Sequence, residues 1–386
     1  MNRVALNMLT GDRAKFIGIL VGLTFASLLI TQQSAIYDGL LERSHASIGD
    51  VGVADIWVMD PMVDNIDDIK PMQDTVLDRV RSIPGVSWAM PMFRNFIRAR
   101  LDDGSTQNCI VIGLDDTTLM GGPPELVRGR MEDLRRADGI IVDERDMTGK
   151  LAHPALHPGE ARRPLAVGDT LELNDHRTVV VGVCRTNRSF MWNPFVYTTY
   201  DRARTWAPPQ RKLLTYVIAK VRSGDDAQQV CERIHETTGM KAMTSAGFKK
   251  LTLDFIMLNT GIPINFKISM FLGFLVGAVI SGQMFYNFTH DNLRHFGALK
   301  AMGAGNAMLM RMILLQALLV ACLGYGLGVG IAALFGNLVG GSELAFLLSA
   351  DRMVFSATVV LVIAAFSALI SIRKVMLLEP AVVFRA

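Results

Sequence analysis

Apolar and polar positions divide the chain into four long apolar runs and one extended polar stretch. Residues 16–37, 266–289, 308–335 and 353–372 are each almost wholly apolar, and each is long enough to cross, as a helix, a hydrocarbon core of roughly 30 Å. The flanks of these runs differ in charge. Residues 290–307 carry Arg294 and Lys300, with Arg311 just beyond, against the single acid Asp291, and an excess of Lys and Arg in a short loop marks the cytoplasmic side. Arg3, Arg13 and Lys15 precede the first run, which places residues 1–15 on the same side as a short interfacial helix. The last run lies between Asp351-Arg352 outside and Arg373-Lys374 inside. The expected fold is an α-helical membrane protein with four transmembrane helices and a mixed α/β extracytoplasmic domain, residues 38–265, between helices 1 and 2. Residues 336–352 form an external loop and residues 373–386 a tail. The expected location is the inner (cytoplasmic) membrane with both termini in the cytoplasm. A signal peptide is the alternative reading of the first run; it is long for a signal core and no small-x-small cleavage site follows it directly.

The polar stretch alternates strand and helix patterns. Val53 to Met59 reads as a strand ended by Asp60-Pro61. Val76, Leu77, Val80 and Ile83 give helical spacing stopped by Pro84-Gly85. Phe96–Leu101 and Cys109–Leu114 flank Asp102-Asp103-Gly104-Ser105, a hairpin signal. A second strand pair turns at Asn174-Asp175, and a strand over 213–221 leads into a helix over 225–238.

Small residues recur along the apolar runs. Gly18 and Gly22, then Gly273, Gly277 and Ser281, then Gly324 and Gly328, stand four apart, with Gly326 and Gly330 as a second pair out of phase. Thr24, Ser27, Thr31 and Ser34 share one helical face. Such spacing serves close packing of membrane helices, within one chain or between two copies.

Half of the residues are hydrophobic, while the net charge is only +3 and the basic residues are dispersed. That balance points to membrane lipids and away from nucleic acid. Of the four cysteines, Cys322 lies in an apolar run. Cys109, Cys184 and Cys231 fall in the polar stretch, where at most one pair can form; Cys109 with Cys184 is the candidate bridge, and buried free thiols are the alternative. No G-x-x-x-x-G-K-[ST] loop occurs, so ATP phosphates have no cradle here. His153 and His157 have i, i+4 spacing, but Pro154 and Pro158 interrupt them, and a loop is the simpler account than a metal site. No nucleophile elbow is present. The chain is expected to be neither an enzyme nor a metal or cofactor binder. The near absence of ionisable residues from the apolar runs argues against a proton-coupled carrier.

The run Arg294-His-Phe-Gly-Ala-Leu-Lys-Ala-Met-Gly-Ala304 resembles the E-[FI]-G-x-L-[KR]-A-[LM]-G-A segment of MacB/FtsX-type ABC transporter permeases, with His295 where an acid is commonest. ADIWVMDP, VRSIPGV, LAVGDTLELNDHRTVVVGV and YVIAKVRSGDDAQQVCERI resemble pieces of the family's outer domain. Leu377-Leu-Glu-Pro-Ala381 resembles its D-P-x-x-A-L-R ending. The resemblance implies a segment that rests on a separate ATPase subunit, which would hold ATP and magnesium, and transmits motion to the outer domain. Arg294, Phe296, Gly297, Leu299, Lys300, Met302, Gly303 and Ala304 would carry that coupling, with Phe296, Leu299 and Met302 as an apolar contact edge. It also implies two lobes in the outer domain, one inserted between Leu114 and Val196. A second copy of the chain and a periplasmic adaptor are the further partners implied, with export of a lipid or amphipathic molecule in the manner of the DevC type. Control of an extracytoplasmic cell-wall hydrolase, as in FtsX-like members, and haem export are the alternatives.

Overall fold

In a computed structural model of the chain, the described residues are 2–155, 157, 160–208, 213–339 and 343–376. The Leu377–Ala381 motif and Pro158 lie outside them. The chain divides into two compact units, Met1–Leu40 with Gly261–Ala386, and Leu41–Thr260.

The first unit is helical. It contains α1 (Asn2–Gly11), most of α2 (Arg13–Asp50), and later in the chain α8 (Ile262–Asp291), α9 (Leu293–Ala301), α10 (Asn306–Val339) and α11 (Ala350–Met376). Helices α2, α8, α10 and α11 are long and apolar enough to cross a membrane. The first of them outruns the expected span of 16–37. Between residue 38 and Asp50 the chain has no proline, and Ser44 and Ile48, one turn apart on one face, are buried, so the helix has a face to bury and no proline to stop it. The stop comes at Val51-Gly52-Val53. The described part of the α10–α11 connection, residues 343–349, packs on α2. Leu347 donates its backbone N–H to the Ala35 carbonyl at 2.9 Å, a Cβ on Gly39 would stand 2.8 Å from the Ala345 carbonyl carbon, and Arg352 donates to Asp38 at 2.7 Å.

Small residues set the helix contacts. Cβ atoms built on Gly18 and Gly22 would stand 3.0 Å from Met284 Sδ and 2.8 Å from Ile280 Cγ2 on α8. Those on Gly273 and Gly277 would stand 3.2 Å from Leu29 and 2.3 Å from Ala26 on α2. Gly324 and Gly328 of α10 close on Leu23 and Ser27 of α2, at 2.8 and 2.5 Å. Helix α2 thus packs on α8 and α10, the two helices that α11 also packs on, and these glycine pairs are spent on contacts within one chain. Ser281 and Ser27 lie on the same faces, both fully buried, and Ser27 donates to the Tyr325 carbonyl at 3.2 Å. Gly326 and Gly330 face open space.

The second unit is α/β. In chain order it holds β1 (Ile56–Met59), α3 (Thr75–Arg81), β2 (Val86–Arg100), β3 (Thr106–Leu114), β4 (Glu125–Arg128), β5 (Gly139–Asp143), α4 (Glu144–Thr148), β6 (Thr170–Leu173), β7 (His176–Arg185), β8 (Phe195–Thr199), α5 (Tyr200–Trp206), β9 (Tyr216–Val221), α6 (Ala227–Thr238), β10 (Lys241–Thr244) and α7 (Ser245–Asn259). The ten strands form one sheet in the order β10-β1-β9-β2-β3-β8-β5-β7-β4, with β6 bridging β2 and β7. Alternate residues go to opposite faces. Ile56 and Val58 join one core under α3, α5 and α6; Trp57 and Met59 join the other with Tyr216 and Phe248. Both faces being covered, central strands read as continuous apolar runs.

The inserted segment 114–196 does supply one half of this sheet, but it is not a separate lobe. Strand β3 pairs in parallel with β8, Ile110–Leu114 against Phe195–Thr199, so the two halves share one ladder. Cys109 and Cys184 fall in the two different cores. They are buried free thiols, as is Cys231, whose burial pushes it up to about 12. His153 is held by two acids, Nδ1 at 2.6 Å from Asp102 and Nε2 at 3.0 Å from Asp169. The ring nitrogens point to opposite sides, so those two carboxylates cannot join the histidine around one ion.

Candidate coupling site between α8 and α10

Helix α8 ends at Asn292, whose side-chain amide donates to the Phe288 carbonyl at 2.9 Å. The chain then makes the nine-residue helix α9 and turns into α10 within Met302-Gly-Ala-Gly305. The turn is a Schellman motif. Ala304 N–H reaches back to the Leu299 carbonyl at 3.0 Å, and Gly303 N–H to Lys300 at 3.1 Å. Gly303 takes φ +94°, a conformation costing other residues about 1 kcal/mol or more. Space is not the constraint, because a Cβ there would meet nothing within 4 Å. Leu299 and Ala304, the positions whose apolar contact accompanies this motif, both pack on the helical core.

The proposed contact edge is split by the fold. Phe296 is fully buried in the cluster that holds Ala5, Leu9, Leu309, Met312 and Ile313. Leu299 leans on the same cluster, and Gly297 is buried. Of the three, Met302 alone faces out, 75% exposed. The reason is physical: a nine-residue helix with few apolar side chains is held only by burying them, so Phe296 cannot also serve a partner. The outward surface consists of Arg294, His295, Ala298, Ala301 and Met302. Lys300 is half-buried and donates to the Met376 carbonyl at 3.3 Å. Arg294 meets no carboxylate among the described residues.

Two features of this end were not anticipated from the sequence. Lys15 bridges Asp12 and Asp291 at 2.6 and 2.5 Å, tying the start of α2 to the end of α8. Gln316, fully buried in α10, donates from Nε2 to the Ala5 carbonyl at 2.7 Å, pinning α1 to the helical core. A lone amide inside the apolar run was the available signal.

The family model described as MacB-like periplasmic core domain matches residues 16–237. The chain belongs to the MacB/FtsX-type ABC transporter permeases. The model for the FtsX-like permease C-terminal region matches residues 267–380, so this permease carries both parts in family order, and α9 lies within the second. Uncharacterized ABC transporter permeases of Mycobacterium tuberculosis strains CDC 1551 / Oshkosh and H37Rv are each 21% identical over 374 residues, covering 95% of this chain and 93% of theirs. Among solved structures, the extracellular domain of the noncanonic ABC-type transporter YknZ from Gram-positive bacteria aligns at 13% identity with a TM-score of 0.34, covering 50% of this chain and 98% of that one. The periplasmic region of MacB from Actinobacillus actinomycetemcomitans aligns at 14% identity with a TM-score of 0.36, covering 53% and 94%. Membership makes the chain a multi-pass membrane component of an ABC transporter and implies a partner ATPase subunit.

Proposed function

We propose that this permease works as a mechanical transmitter in the inner membrane, with both termini and α9 on the cytoplasmic side and the α/β domain outside. The ATPase subunit binds ATP and magnesium and does the chemistry; this chain is not itself an enzyme. Helix α9 seats on that subunit through its outward surface, Arg294 as the cation and Met302 as the apolar knob, while Phe296 roots it in the bundle. Closure of the ATPase displaces α9, and α8 and α10, joined to it by the Asn292 cap and the Gly303 turn, move with it. Two copies of the chain assemble on two ATPase subunits. A periplasmic adaptor receives the movement of the α/β domain, and the cargo is a lipid or an amphipathic molecule, drawn from the membrane lipids around the bundle.

The observation that carries this reading is the division of α9 into a rooted face and an exposed face whose Arg294 meets no carboxylate among the described residues. The test is co-purification and stimulated ATPase activity of the permease–ATPase complex in nanodiscs, with Arg294→Glu and Met302→Asp compared with the parent. Both variants should insert normally and lose most of the stimulation. Full stimulation and full co-purification in both would sink the assignment of α9.

A further inference from the structure

Strand β10 ends the sheet, paired on one side with β1 alone. The pairing of Trp57 with Met243, and the Ser245 N–H bond to the Asp55 carbonyl at 2.9 Å, fix which backbone groups look where. Lys241, Met243 and Ser245 turn toward β1, so Met240, Ala242 and Thr244 turn to the open side. The fold closes off the first of these: Met240 N–H donates to Thr238 Oγ1 at 3.1 Å, and its carbonyl faces His235 Nδ1 at 2.9 Å. The Ala242 N–H, the Ala242 carbonyl and the Thr244 N–H meet no protein group among the described residues.

An open edge is ordinarily guarded by a lysine. Here Lys241 is folded away, its Nζ donating to the Val63 carbonyl at 2.7 Å. A groove of about 470 Å³ lies at the edge, lined by Ala242 and Met243, by Leu251 of α7, by the exposed Glu232 and Glu236 of α6, and by Lys241 and His235, which are engaged by the Val63 and Met240 carbonyls.

We propose that this edge accepts an extended segment of another protein as an eleventh strand. Two backbone donors and one acceptor in line along a strand are satisfied together by another strand's backbone. The groove adds selectivity: an apolar side chain fits toward Met243 and Leu251, and a lysine or arginine toward Glu232 and Glu236. The occupant is therefore an extended segment alternating apolar and basic residues. The assignment concerns the α/β domain alone and stands whether or not α9 seats on an ATPase.

The probe is a fluorescent octapeptide of alternating valine and lysine, offered to the full chain in zwitterionic nanodiscs, with empty nanodiscs as control. The same peptide N-methylated at alternate amides is the comparison. The parent peptide should bind and slow hydrogen exchange at Ala242 and Thr244, and the methylated one should bind at least about tenfold more weakly. Glu232→Lys/Glu236→Lys, two changes on the exposed face of α6, should weaken parent binding by about tenfold. Ala242→Pro, which removes an outward N–H, should abolish it. Equal binding of both peptides, protection outside β10, or no binding up to about 1 mM would each overturn the proposal. So would amides of β10 already protected in the free protein and cross-linking there between two copies, which would give the edge to a second copy of the chain.

Discussion

The two units of this permease solve one packing problem in opposite ways. In the α/β domain, large side chains fill the space between sheet and helices: the rings of Trp57, Tyr216 and Phe248 meet with centroids 5.5 to 6.0 Å apart, and all three residues are fully buried. In the helical unit the closest contacts are made where side chains are missing, at Gly277 against Ala26 and Gly328 against Ser27. The cause is the surrounding solvent. Burial from water rewards bulk in the first case, whereas lipid tails are as apolar as leucine, so membrane helices gain chiefly by close approach. The outer surface of the bundle agrees, with Val279, Leu334 and Val354 each more than 60% exposed. For these contacts the expectation is that adding atoms breaks the bundle and removing them breaks the domain, although Gly113 and Gly122 of the domain are also tightly enclosed and Phe285, Phe288 and Phe296 are fully buried in the bundle.

The sharpest test reverses substitution size between the units. Gly277→Leu or Gly328→Leu places a side chain where even a Cβ would stand 2.3 or 2.5 Å from its neighbour. The loss should reach about 3 kcal/mol or more and be seen as loss of resistance to unfolding in detergent. Gly326→Leu, with nothing within 4 Å, should change little. If Gly326→Leu were as damaging as Gly328→Leu, packing inside one chain would not be what these glycines serve.

In the domain, the converse change should be the costly one. Phe248→Ala leaves a cavity between Trp57 and Tyr216 and should cost about 3–5 kcal/mol, read as a lower denaturation midpoint by tryptophan fluorescence. A loss below about 1 kcal/mol would mean that this core collapses freely and is not held by its rings.

A pH dependence distinguishes the domain further. Burial, and secondarily the nearby Asp143 charge, push the Asp146 carboxyl up to about 7. Lys150, Arg188 and a backbone bond from Phe195 pull the other way. Unfolded, the group titrates near the ordinary ~3.9. Between these values the folded state holds the extra proton, so stability from this group is fully present below about pH 4 and lost as pH rises through about 7. The full difference corresponds to about 4 kcal/mol; with partial contact to water, on the order of 2 kcal/mol is expected. Asp146→Asn should flatten the fall in denaturation midpoint between about pH 4 and 7. An unchanged slope would assign it to another group.

What was legible in the sequence follows the same division. The four spanning helices could be read because their length is set by the bilayer, and the strand pairs around 102–105 and 174–175 because their turns are local. Glycine spacing gave a face on each helix. It could not say that Gly324 meets Leu23, or that Gly277 meets Ala26, because periodicity fixes a direction on one helix and not the helix opposite. The parallel pairing of β3 with β8 joins strands some eighty residues apart, and no local pattern records it. At α9 the motif identified the segment, and the Schellman turn at Gly303 explains its glycine. The burial of Phe296 was hidden because one turn of a short helix offers too few positions to tell a rooted face from a free one.

The smallest effect expected tests whether charge, rather than approach, holds the bundle. Lys15 joins two helices through Asp12 and Asp291, and it is the evident electrostatic tie at that end. All three side chains are partly exposed, so water and salt screen the pairs. Lys15→Ala should lower the unfolding temperature in detergent by no more than about 1–2 °C. That difference should vanish in high salt, and Lys15→Arg should restore it. A fall as large as that of Gly277→Leu, insensitive to salt, would mean that the ion pairs carry the bundle and the glycines only accompany them. The contrast between the two units would then rest on charge against apolar bulk, not on missing against present side chains.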